Sequence, residues 1–403
     1  MVSKCKAVLM TAAAITVAGF SVSAEAAKTI SGTAHGISWT ASSRIVGQTS
    51  TATIVGGGDP AYLAQTPFYR GVVGLVMEYD DGSAFVCSGS LMNDRRSILT
   101  AGHCVSGGYG TKGPQKVSAF FYDGNASDPV YYADYLGGQP VQGITQVGIS
   151  KVIVNPKYTG EVIDQNDIAV LRLSQMAPTF ATSYGIYTGK DLTGLDYNVA
   201  GYGGRSDVGG AVGDNLGTGR LRQGDNRYDY RLGDKDLNNF FTEYDPNDPN
   251  CSPGQNVFCG TADIDYSYVS DFDNGFLRND TGCLVALAAA GTRFDPKFCD
   301  QGVGKTEVSI AGGDSGGPGF VDGLVASVNS YGLSFGEFYG DTDDELNSSW
   351  GEFNGFVPTF IHKDFIQSAM VPETGTWTQL VLGFGLLGGA MRGRRRKGEA
   401  ATA

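Results

Sequence analysis

The chain has 403 residues, 41% of them apolar, with 60 glycines, 20 tyrosines, 21 phenylalanines and a formal charge of −13. Abundant glycine and aromatic side chains favour a loop-rich β protein over a helical one, and the length allows one large domain with processing segments or two domains. Both chain ends are basic, so the body between them is more acidic still, which excludes nucleic acid as a partner because phosphate binding needs the opposite sign.

At the N-terminus, Lys4 and Lys6 precede an apolar run from Ala7 to Phe20 and small residues at Val22-Ser23-Ala24 and Ala24-Glu25-Ala26. Residues 1–26 therefore read as a cleaved export signal, with an apolar core too short for a membrane span of about 20 residues. Cys5 leaves with the signal, and the six remaining cysteines of an exported chain imply disulfides. Residues 27–53, rich in Thr, Ser, Ala and Gly, read as a propeptide or flexible leader without a core of its own. The pair Ile54-Val55 then leads abruptly into glycines, and Thr66 to Val76 reads as a first strand.

Three stretches carry chemistry. His103, one of only three histidines, follows the apolar run Ser97-Ile98-Leu99-Thr100 and sits beside Cys104. A cysteine next to a histidine raises a zinc site, but no second His/Cys pair at finger-like spacing supports one. Asp167 precedes the β-branched run Ile168-Ala169-Val170-Leu171. It is either an ordinary turn residue leading into a strand or a buried acceptor for an imidazole. Gly312-Gly313-Asp314-Ser315-Gly316-Gly317-Pro318 surrounds one hydroxyl with glycines. That run is either a surface turn or a tight turn whose N–H groups converge on a developing oxyanion.

Thr100-Ala101-Gly102-His103-Cys104, Asp167-Ile168-Ala169-Val170-Leu171 and Gly313-Asp314-Ser315-Gly316-Gly317-Pro318 resemble, in order, the three signatures of the trypsin/chymotrypsin-like serine proteases. The likeness spans roughly 54–370. It implies an all-β fold of two antiparallel six-stranded Greek-key barrels with a short C-terminal helix, here over Phe356 to Gln367. It also implies a catalytic set of His103, Asp167 and Ser315, with an oxyanion hole from the N–H groups of Gly313 and Ser315. By the same resemblance a cut before Ile54 frees an ammonium that pairs with Asp314. Arg44-Ile45-Val46-Gly47 is a rival, with a basic residue before the cut where Ile54 has Thr53, but it lies too early for the spacing to Pro67. Ser330, Tyr331 and Gly332 match the substrate-binding strand, and Ser309 the floor of the specificity pocket. A serine there argues against Arg or Lys preference and suits an apolar or aromatic side chain. Cys87 and Cys104 match the cystine beside the histidine, and Cys283 and Cys299 the one ahead of the serine loop. Ala311 stands where relatives carry a cysteine, so the pocket's usual cystine is missing.

Between about 204 and 282 the chain exceeds the family norm, with Cys251 and Cys259 clipping a local loop. Asp263, Asp265, Asp271, Asp273 and Asn274 offer oxygen ligands of the kind calcium takes, but their spacing fits no EF-hand loop. They are read as surface acidity, with no metal and no cofactor. Asp341, Asp343, Asp344 and Glu345 likewise read as a solvated acidic loop near the pocket. At the C-terminus, Val371-Pro372-Glu373-Thr374 precedes an apolar, Gly-rich run from Trp377 to Met391 and the basic cluster Arg392 to Lys397. This 371–403 tail resembles the PEP-CTERM sorting signals of Gram-negative exoproteins, with Thr374 in place of the second proline. The motif Val-Pro-Glu-Thr-Gly also resembles the sortase signal, and a permanent anchor is the plain alternative. The resemblance implies signal peptidase and an exosortase-type enzyme as processing partners and a transient membrane attachment. The destination is then the periplasm or the cell surface. The expected function is an exported serine endopeptidase acting on protein or peptide substrates. The alternative is a catalytically silent, surface-displayed binding protein on the same scaffold.

Overall fold

The computed structural model describes residues 28–43, 45–123, 143–291 and 295–370. The expected export signal (1–26), the sorting tail (371–403) and Arg44 lie outside the described residues.

Six antiparallel strands close a barrel in the order β4-β5-β6-β9-β8-β7. They are β4 (Val72–Glu78), β5 (Ala84–Leu91), β6 (Ser97–Thr100), β7 (Lys116–Tyr122), β8 (Ile144–Val154) and β9 (Ala169–Leu173). The residues of β4 and β6 are buried in a core that also takes in Ala200, Tyr202, Phe320, Val325 and Val328 of the second half. Extended structure begins later than expected. Pro67, with its fixed φ, opens a 3-10 turn over Pro67–Gly71, and the strand starts at Val72.

The second half is an antiparallel sheet with the path β11-β10-β15-β16-β17-β13-β12. Its strands are β10 (Asp196–Gly201), β11 (Arg222–Arg227), β12 (Tyr230–Arg231), β13 (Tyr268–Asp271), β15 (Pro318–Val321), β16 (Leu324–Ser334) and β17 (Phe353–Pro358). Among the described residues this path curls without closing, and with the closed first barrel it gives the expected all-β architecture of two antiparallel halves. A separate ribbon pairs β3 (Val46–Gly47) with β14 (Val308–Ser309). The closing helix α2 (Lys363–Met370) starts later than the sequence suggested, because Phe356 to Pro358 stays in β17 and a 3-10 turn follows.

Two stretches behave differently from their composition. The 27–53 leader is not coreless: β1 (Ile30–Ala34) and β2 (Ile37–Ser42) form a hairpin, and β2 pairs with β16. The buried side chains of Ala34, Trp39 and Ala41 supply what that composition seemed to lack, by joining a core made by other segments. The long 204–282 stretch is only partly an addition, since β11 and β13 within it are sheet strands. The chain between β12 and β13 contributes Leu237, Phe240, Phe241, Val257 and Phe258 to the same core as the leader. Helix α1 (Thr281–Ala290) follows, capped by Asp280.

Candidate active site

Because β6 and β9 pair with Thr100 opposite Ala169, the residues just beyond β6 face those just before β9. His103 and Asp167 meet there. The Asp167 carboxylate accepts the backbone N–H of His103 at 2.7 Å and lies 2.6 Å from its Nδ1. An ionised carboxylate only accepts, so Nδ1 carries the proton and Nε2 is the basic nitrogen. Asp167 is 1% exposed and takes a third bond, 2.6 Å from Ser330 Oγ. Ser330 can reach it because the β16–β17 register shifts between Asn329 and Tyr331, and a bulge re-aims the intervening side chain. Ser330 lies on β16, the strand expected to bind substrate, and its hydroxyl supports the carboxylate.

The glycine-rich run turns against the first barrel. Gly313 and Gly316 have φ of 98° and 82°, in the left-handed region. A Cβ on Gly316 would also collide with Thr100 Oγ1. Ser88 of β5 ties the turn down, its N–H donating to Ser315 O at 2.8 Å and its Oγ to Gly313 O at 2.9 Å. Ser88 had no distinguishing signal in the sequence. On the other side Gly316 N–H donates to Asn329 O at 2.8 Å. Ser315 Oγ is buried without a hydrogen-bond partner among the described residues. The same holds for the N–H groups of Gly313 and Ser315, which find no acceptor there.

Asp314 is wholly buried, and burial pushes its carboxyl up to about 8. It accepts from Gly203 N at 2.7 Å, from Ala311 N at 2.9 Å and from the backbone nitrogen of Ile45. Ile45, the rival candidate, and not Ile54, is thus the residue whose nitrogen meets Asp314 in the continuous chain. Ile54 sits in a surface 3-10 turn, 41% exposed, while Ile45 occupies the position beside Asp314. Of the eight residues between them, Val46 and Gly47 form β3 in its ribbon with β14, which the distance to Pro67 could not reveal.

In the specificity region, Ser309 lies in β14 and donates to Asn354 Oδ1 at 2.7 Å, which also accepts from Ile310 N at 2.8 Å. Asn354 thus ties β14 to β17, and sequence reasoning missed it. Tyr331 is buried, its hydroxyl 2.8 Å from Ser267 Oγ, and Gly332 pairs in register with both Asn354 and Ser42. The acidic loop is not simply solvated. Asp341 is buried against Ser334 Oγ, and burial pushes the Glu352 carboxyl up to about 8.

Three disulfides form, Cys87–Cys104, Cys251–Cys259 and Cys283–Cys299. The first consumes the thiol beside His103, so no zinc site can use it. The family model described as Trypsin matches residues 54–226. Residues 54–226 thus match a trypsin-family serine protease domain. A solved structure titled "HL collagenase structure at 1.7 Å resolution" shares 19% identity with the protease, covering 76% of this chain and 96% of that one with a TM-score of 0.44. None of the curated proteins matches the chain. Among the described residues of the protease no helix is long and apolar enough to cross a membrane.

Proposed function

We propose that the protease is an exported serine endopeptidase working through an acyl-enzyme. Its hydroxyl nucleophile is weak until a base removes the proton. In this reading Ser315 Oγ attacks the peptide carbonyl while His103 Nε2 takes its proton and later delivers it to the leaving amine. Asp167 holds the ring in that tautomer and stabilises the imidazolium without becoming protonated. The N–H groups of Gly313 and Ser315 receive the oxyanion; each such donor is worth about 10²–10³ in turnover.

The observation that supports this best is the double contact of Asp167 with His103, through Nδ1 and the backbone N–H together. It fixes both the ring's tautomer and its position. Export is supported by the disulfides and the N-terminal apolar run. For specificity, Ser309 and Asn354 offer neutral polar groups and no carboxylate to an Arg or Lys side chain. An apolar or aromatic preference follows. Activation is assigned to cleavage between Arg44 and Ile45. The test is reaction with a fluorophosphonate, which needs an activated serine. The wild type is expected to label and Ser315→Ala, still folded by thermal melt, is not; equal casein hydrolysis by the two would refute the reading.

A further inference from the structure

Asp229, Asp271, Asp273, Asp280 and Glu307 are all buried and lie close to one another. One carboxylate oxygen each from Asp271, Asp273 and Asp280 lie mutually within 4.8 Å. This overturns the reading of Asp271 and Asp273 as surface acidity. Four of the five carboxylates take backbone N–H groups: Asp229 from Asp271, Asp271 from Gly282 and Asp280 from Cys283 at the start of α1, and Glu307 from Asp273 and Val303. Asp273 is the exception. It is 1% exposed, yet neither of its carboxylate oxygens receives a hydrogen bond, and Asp280 Oδ2 beside it receives none either. Among the described residues no Lys or Arg pairs with these five; Arg227 is engaged with Asp196 and Asp300. Uncompensated carboxylates at this burial are among the costliest groups a protein can hold. Burial and mutual repulsion push Asp271 up to about 7, Asp280 to about 8 and Glu307 to about 9.

We propose that Asp271, Asp273 and Asp280 bind one calcium ion. Three hard carboxylate oxygens with no sulfur or imidazole among them select a hard cation. Calcium tolerates an irregular shell completed by carbonyls and water, where magnesium demands a near-ideal octahedron. The ion has a structural consequence. Glu307 holds the Asp273 N–H and leads directly into β14, while Gln48, just after β3, donates to Asp273 O. Calcium at this point braces the β3–β14 ribbon that positions Ile45 and Ser309.

The test is thermal melting of the full secreted chain after chelator dialysis, with and without calcium chloride, together with terbium luminescence as a direct probe. Calcium at 100 times its Kd shifts the unfolding equilibrium about 100-fold, read as a Tm rise of several degrees. One terbium ion should bind per chain and be displaced by calcium. Asp273→Asn should abolish both responses while melting no lower than the calcium-free wild type, because it removes an unbalanced charge. Asp343→Asn, in the other acidic cluster, should keep both. Absence of any calcium-dependent shift and of terbium binding in the wild type would overturn the site, and would mean that Asp271 and Asp273 share a proton.

A second inference rests on the leader and on the peptidase reading above. β2 lies antiparallel along β16, with Ser42 opposite Gly332, Ala41 opposite Leu333 and Thr40 opposite Ser334. An extended substrate adding to the same edge would need the same backbone groups. Trp39, buried against Phe258, anchors the strand. We infer that residues 30–43 act as an intramolecular competitor that must leave the β16 edge after the cut at Arg44. In chain cut at that bond, Trp39→Ala is expected to speed fluorophosphonate labelling at least fivefold. A synthetic 28–43 peptide should inhibit competitively a chain beginning at Ile45. Equal labelling rates without peptide inhibition would refute the inference. Failure of the chain beginning at Ile45 to label at all would count instead against the peptidase reading.

Discussion

The backbone nitrogen of Ile45 donates to the buried carboxylate of Asp314, 269 residues further along the chain. In the continuous chain this is an amide, and burial holds Asp314 up at about 8. Cleavage after Arg44 would turn the amide into an ammonium, whose opposite charge favours the ionised carboxylate and pulls its pKa back down. The carboxylate in turn raises the ammonium above the ordinary α-amino value of about 8. A pair held by a raised cation is intact below that value and is lost as pH rises through it. The cut enzyme should therefore lose activity reversibly on the alkaline side, above about pH 8. Breaking a buried pair costs about 3–5 kcal/mol, so Asp314→Asn should lower kcat/KM by about 10² or more. N-terminal sequencing of the active form and its pH–rate profile check this; a start at Ile54 would refute it.

Ser330 Oγ donates to Asp167 at 2.6 Å inside a fully buried site. A hydrogen bond to a charged group is worth about 1.5–3 kcal/mol. Ser330→Ala should reduce kcat/KM by about 10- to 100-fold, mainly through kcat, and lower Tm by a few degrees. A variant whose loss lay entirely in KM would show that Ser330 serves substrate binding rather than Asp167.

Much of this site is readable without coordinates because its chemistry is local in sequence. The residues flanking His103, Asp167 and Ser315 are short runs, and each run builds its own turn. What escaped was long-range pairing. Nothing near Ile45 reports that its nitrogen reaches Asp314, and the apolar residues of 27–53 are too few to suggest a core until Trp39 meets Phe258. The same holds for acidity. Asp263 and Asp271 look alike in sequence, but one is exposed and the other buried, because Asp271 ends β13, which is paired on both sides in the second sheet. Burial is a property of the fold, and Asn354, Ser88 and Asp280 become meaningful only through it.

Asn354 accepts from both Ser309 Oγ and Ile310 N in a buried setting. Asn354→Leu would leave Ile310 N unsatisfied, at about 1–3 kcal/mol, and Ser309 Oγ with only its longer bond to Ile310 O. The expected result is a lower Tm and a weakened discrimination among apolar substrates, measured by kcat/KM across a P1 series. Asn354→Asp keeps the acceptor but sets its other, charged oxygen against Ser270 O, and should lower Tm less than Asn354→Leu while favouring basic P1 residues. Loss of stability in both variants alike would argue that the amide NH₂, which donates to Ser270 O, is the group that matters.

His362 gives the fold a titratable element bonded to the loop that leads into Asp167. It is buried, with Nε2 2.7 Å from Gln165 O and Nδ1 3.3 Å from Asn155 Nδ2. Burial depresses it to about 4, against an ordinary value of about 6.5 in the unfolded chain. Between those values the unfolded chain binds the proton and the folded one does not. The stability from a neutral His362 is complete above about pH 6.5 and is lost progressively as pH falls toward 4, by about 3 kcal/mol in all. Asp164, raised by burial to about 6, titrates with the opposite sign over much of the same window and masks this loss in the wild type. The difference between wild type and His362→Gln isolates it. Urea unfolding at pH 7, 5.5 and 4 should show the variant less stable at pH 7 and the gap closing toward pH 4. A gap independent of pH would mean that His362 contributes packing alone.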